Sequence, residues 1–200
     1  ADSLALALQN TTLLKESQQQ ALELSGLYET ALAITTELDP DSLLNRLYLQ
    51  VTTLMNPDVF MVALYEPENL GLRIAMAIED GKSLDEWRDL FVPLSDGGLT
   101  GYILEQGKSL LVGDLLRDPL PVTPKHSARP ARSWMGVPLI SRERILGVIS
   151  IQSFTPDIFD RTQLRFVESL AAQVAIAMQN ANLFDAERKR TAELVAIAGI

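Results

Sequence analysis

The sequence predicts an α+β domain in which a six-stranded antiparallel sheet is flanked by long helices at the two ends of the chain. Three observations carry this. Residues 59–153 hold short apolar runs separated by turn sequences, as hairpin-joined strands demand. Residues 1–38 contain no proline and a single glycine, with leucines at heptad spacing. From Asp160 onward, apolar residues alternate spacings of three and four, the period of a helix.

In the first helix Leu6, Leu13, Leu27 and Ile34 form a heptad seam with Gln20 in its gap, and Leu24, Ala31 and Leu38 follow the matching offset. Asn10, Ser17 and Gln20 interrupt it. Asp39-Pro40-Asp41-Ser42 breaks and restarts the chain, and Leu43, Leu44, Leu47, Val51 and Leu54 stripe a second helix that ends at Asn56-Pro57. Val59 to Tyr65 reads as a strand covered on both faces. Simple alternation places Leu72, Ile74, Met76 and Ile78 on one face of the next strand. Leu90 to Leu94 and Leu110 to Val112 are shorter strands, separated by a glycine-opened short helix carrying Leu99, Tyr102 and Ile103. The segment "RSWMGVPLISRERILGVISIQS" supplies the last two strands as a hairpin, with Gly136 and Gly147 expected to let a helix pack close. In the final helix Val167, Leu170, Val174, Ala177, Ala181 and Phe184 form the apolar stripe. Residues 1–26 are expected to be a signalling or dimerisation helix, 27–185 the domain, and 186–200 a helix leading to an output domain outside this chain.

Composition narrows the function classes. At 47% hydrophobic residues the chain can build a core without disulfides or structural metal. Its net charge of -9 argues against a phosphate-backbone partner, so no nucleic acid is expected. The absence of cysteine removes disulfides, thiolate metal sites and catalytic thiols, and the single histidine, His126, removes a multi-histidine metal site. No apolar run is long enough to span a membrane and no secretory signal is visible, so a cytoplasmic location without direct membrane contact is the expectation.

"RSWMGVPLISRERILGVISIQS", followed by "FDRTQLRFVESLAAQVAIAMQNANLF", closely resembles the end of a GAF domain of the kind found in bacterial sensor kinases and related signalling proteins. "ALAITTELDPDSLLNRLYLQV" is similar to the opening helices of that family, and "GLTGYILEQGKSLLVGD" to its middle segment. The likeness covers residues 27 to 185 in the family's order. It implies a sheet with the terminal helices on one side and a small pocket on the other. Members bind cyclic nucleotides, bilins, haem or other small molecules, or act only as dimerising relays. Bilin attachment and the free methionine sulfoxide reductase branch both run on cysteine, which is absent here. His126 lies in the proline-broken "TPKHSARP", a poor mount for a haem ligand. Phe159 and Asp160 match part of the cyclic-nucleotide set without its Asn-Lys pair, and they equally serve as core closure and helix cap. No cofactor is expected, with a cyclic nucleotide kept as an alternative.

The expected ligand-binding residues are Asp96, Gly97, Gly98, Thr100, Tyr102, Arg132, Ser133, Trp134 and Met135. Glycines before a short helix leave backbone N–H groups available to an anion, although Asp96 can equally act as that helix's cap. Residues 119–134 carry Lys125, Arg129 and Arg132, with His126 and no acid, which reads either as a lid attracting an anionic ligand or as a solvated loop. The resemblance puts Ser133, Trp134 and Met135 beside the pocket, while Trp134 can equally plug the core. Glu79, Asp80, Asp85 and Glu86 read as a solvated acidic loop. No nucleophile and base are brought together, so the chain is not expected to be an enzyme by itself, and no metal site is expected. Leu6, Leu13, Leu27, Ile34, Leu170, Ala177 and Phe184 are expected at a homodimer interface. The leading function is a sensory module of a multidomain signalling protein, with a sensor histidine kinase as the first assignment, coupling an unidentified small molecule to the dimer helices. The alternatives are a ligand-free relay and the effector domain of a transcription regulator.

Overall fold

The computed structural model describes residues 40–124 and 129–197, with side chains to 183. Leu6, Leu13, Leu27, Ile34, Phe184, Lys125 and His126, with what was expected of them, lie outside the described residues or side chains. One compact unit spans Asp39–Leu183. The remaining residues form a second unit, of which only the continuation of the last helix to Ile197 is described.

Helix α1 (Pro40–Leu54) opens on a proline, whose missing N–H costs nothing in a first turn. It buries Leu43, Leu44, Leu47 and Val51. The strands are β1 (Val59–Glu66), β2 (Gly71–Glu79), β3 (Lys82–Ser83), β4 (Phe91–Pro93), β5 (Leu110–Val112), β6 (Ser133–Ser141) and β7 (Arg144–Ser153). Helix α2 (Gly98–Gln106) precedes β5, and α3 (Arg161–Ile197) ends the described chain. All strand pairs are antiparallel in the order β3-β2-β1-β7-β6-β5, with β4 also paired to β2. The sheet thus has seven strands instead of six; the added β3 is a two-residue hairpin return too short for a periodicity to reveal.

One face of the sheet meets the terminal helices. The Tyr48 ring of α1 lies 5.4 Å from Phe60, which is in register with Ile151, itself opposite Met135. Ser141 on the same face of β6 donates to the Gln179 side chain of α3. Asp160 caps α3: its carboxylate accepts from the Thr162 and Gln163 N–H groups, while Gln163 returns a bond to the Asp160 N–H. The inward stripe of α3 includes Val167, Leu170, Val174 and Ala177, all buried within this single chain. Leu170 and Ala177 are therefore core residues and not a free dimer seam. A stripe facing a sheet and a stripe facing a partner helix share one spacing, and among the described side chains the large exposed apolar residues of α3 are Ile176 and Leu183.

Two further expectations are corrected. A register shift in β1–β2 pairs Val62 with Met76 but Ala63 with Ile74, leaving Ala75 as the extra residue. Alternation changes phase across that bulge, so Met76 and Ile78 lie on the face opposite Leu72 and Ile74. Gly136 and Gly147 also act differently from one another. A Cβ at Gly147 would strike the Ala63 carbonyl oxygen, so this glycine permits close pairing of β7 with β1 and not helix packing. At Gly136 a Cβ would strike the Trp134 ring and also crowd Ile103 of α2.

Candidate functional site

The other sheet face carries α2 and an apolar cluster that includes Ala63, Leu72, Leu99, Ile103, Val112 and Trp134. The cluster does not fill the space. A cavity of about 270 Å³ remains between the sheet, the start of α2 and the segments around Trp87 and Ala131. Its floor follows from strand register: Glu79 of β2, Val59 of β1, Gln152 of β7 and Trp134 of β6 stand opposite one another in one row. The next row on this face runs Ala77, Met61, Ser150 and Gly136, three of whose side chains are small or absent. Of that row Met61 lines the cavity, while the Trp134 ring, also in the lining, leans over Gly136.

The mouth is made by short irregular turns. Residues 94–96 form a 3₁₀ turn running into α2, and Asp96, Gly97, Leu99 and Thr100 line the cavity there. Trp87 lies on another 3₁₀ turn, Asp85–Trp87, and lines the cavity with Leu90, which is 48% exposed. Leu115, Pro124 and Ala131 complete the wall. Gln152 donates from its side-chain amide to the Ser150 hydroxyl at 3.2 Å, fixing a polar group on an otherwise apolar floor.

Of the expected ligand residues, the structure brings Asp96, Gly97, Thr100 and Trp134 to the cavity and leaves the other five outside its lining. Ser133 and Met135 face the helical side, because neighbours of Trp134 in a strand must point away from it. The Ser133 hydroxyl donates to the Gly113 carbonyl and accepts from the Ile158 N–H, pinning the β5–β6 crossing. Tyr102 packs against the apolar cluster. Gly98, at φ 53°, supplies the left-handed residue that opens α2. The N-cap position of α2 is Gly97, one residue after Asp96.

Arg132 is committed elsewhere. Its guanidinium forks onto the buried Asp114 carboxylate at 2.9 and 2.6 Å. The Arg132 hydrogen bonds, helped by the Leu116 N–H, pull Asp114 down to about 2 against the desolvation that opposes them. Arg117 forks onto Asp157 and also bonds Asp118, and both carboxylates are held low chiefly by that guanidinium. Arg129 lies 3.5 Å over the Phe154 ring and pairs with Asp80. These arginines fasten loops and do not line the cavity.

Glu79, Trp87 and Gln152 are lining residues that the sequence reading did not place there. Glu79 reaches this face because the β2 bulge resets the alternation. The signal for Gln152 was available, since it is in phase with Trp134 across a tight hairpin. Trp87 sits in an acidic turn with no periodicity to read.

Among solved structures, the GAF domain of an Acinetobacter phosphoenolpyruvate-protein phosphotransferase is similar, with a TM-score of 0.63 at 20% identity over 81% of this chain and 95% of that one. A methyl-accepting chemotaxis protein fragment matches at 0.63, with 15% identity over 76% and 97%. The free methionine-R-sulfoxide reductase of Neisseria meningitidis, solved with its substrate, matches at 0.59, with 20% identity over 76% and 86%. The profile of the GAF domain matches residues 37–179, most of the chain. The protein belongs to the GAF domain family.

Proposed function

We propose that this GAF domain is a sensory module that binds a small molecule in the cavity beside Trp134 and passes its occupancy to the terminal helices of a homodimer. The observation that carries the reading is the cavity itself, about 270 Å³ on the sheet face away from α1 and α3. A ligand-free relay needs no such space, and close packing would normally remove it. The lining is suited to recognition: apolar walls, with Glu79, Asp96, Thr100, Gln152 and the indoles as the few polar groups. A similar fold in a chemotaxis protein supports a signalling setting, and a sensor histidine kinase is the proposed host. The domain is read as non-enzymatic, because a cysteine-free chain with one histidine supplies no thiol and no evident nucleophile–base pair.

A ligand that enters touches β1, β2, β6 and β7 together, and the same strands carry the helices on their other face. Binding therefore biases whichever helix arrangement fits the liganded sheet. The test is a thermal-shift screen of small metabolites, backed by native mass spectrometry of freshly purified protein. At least one compound should stabilise the parent chain and fail to stabilise a folded Trp134→Ala variant. If no compound stabilises the parent and no adduct co-purifies, the relay reading replaces this one.

A further inference from the structure

The described lining of the cavity has a sign. Its charged lining residues among those described are Glu79 and Asp96, both acids, and it is lined by no described lysine, arginine or histidine. Among the described residues, neither Arg129 nor Arg132 is in the lining, and Arg132 forks onto Asp114. Lys82, opposite Glu79 in the β2–β3 ladder, is exposed and outside the lining. Glu79 closes one end of the floor row whose other end is Trp134, and Trp87 supplies a second indole. A carboxylate at one end of the floor and two indoles in a mainly apolar lining together describe a host for a positive charge on an apolar body. An anion entering the same space meets like charge beside low-dielectric walls. Lys125 and His126 of the basic segment lie outside the described residues.

We infer that the cavity selects a small organic cation, an alkyl- or arylalkyl-ammonium, over neutral and anionic molecules of the same shape. The inference rests on the ligand-binding reading above and adds the chemical class of the ligand. Glu79 and the indoles are the selecting groups, and Gln152 offers a polar contact midway along the floor.

The test uses three near-isosteric probes with the full chain: 2-phenylethylammonium, 2-phenylethanol and 3-phenylpropanoate, each titrated at neutral pH and low salt by tryptophan fluorescence and calorimetry. The expected order is cation, then alcohol, then carboxylate, with the cation at least about tenfold tighter than the anion. Glu79→Gln should shrink the cation-to-alcohol ratio several-fold, while Glu86→Gln, exposed and outside the lining, should leave that ratio unchanged. Equal affinities, or tighter binding of the carboxylate, overturn the inference and leave a ligand site standing. A ratio that survives Glu79→Gln overturns it as well. If none of the three binds and the metabolite screen is also blank, both the inference and the ligand-binding reading fall.

Discussion

Trp134 and Gly136 are two residues apart on β6 and share one face, so the space the glycine lacks is the space the indole takes. A methyl at 136 cannot be absorbed by a flexible neighbour, because the ring is rigid and only 4% exposed. Gly136→Ala should cost about 1–3 kcal/mol as an overpacked site. It should also shift the tryptophan emission, read in the same denaturation experiment. Asp114 makes a second residue-scale prediction. Its folded value of about 2 lies below the ordinary carboxylate value of about 3.9, so its pairing with Arg132 stabilises the fold fully above the ordinary value. That stabilisation is lost as pH falls through the folded value. Asp114→Asn should therefore be less stable than the parent near neutrality, and the gap should close between about pH 4 and about pH 2. A gap of constant size at acid pH would mean that the ionised pair is not what Asp114 contributes.

Elements were legible where their period was unbroken. The stripe of α1, the capping aspartate of α3 and the β6–β7 hairpin all follow from spacing and turn chemistry. The site was legible only in part, and the failures are physical. A bulge adds one residue and inverts every later side chain without changing composition, which hid Glu79. Strict alternation, by contrast, was enough to separate Trp134 from Ser133 and Met135, and the resemblance to the family obscured it. The stripe of α3 posed a different ambiguity, since sheet-facing and partner-facing residues share a period. Burial resolves it: Leu170 is 6% exposed and Ile176 is 54% exposed. Leu170→Ala should cost about 2–5 kcal/mol in chemical denaturation, and Ile176→Ala within about 0.5 kcal/mol when the protein is kept dilute.

At the scale of the molecule, one sheet serves two layers, and its strands are the shared material between cavity and helices. Along the central strands, the residues that line the cavity alternate with chain neighbours on the face of α1 and α3, which is the route the proposed coupling would take. The chain's methionines report on the two sides separately. Met61 lines the cavity, whereas Met135, fully buried one strand position from Trp134, faces the helical layer with Met178 buried on α3. Methyl-labelled methionine spectra, recorded with and without saturating 2-phenylethylammonium or 2-phenylethanol, test the ligand site most directly. The Met61 methyl should move most, with a smaller response at Met135. No movement at Met61, with shifts confined to methyls on the helical side, would contradict a ligand site in this cavity.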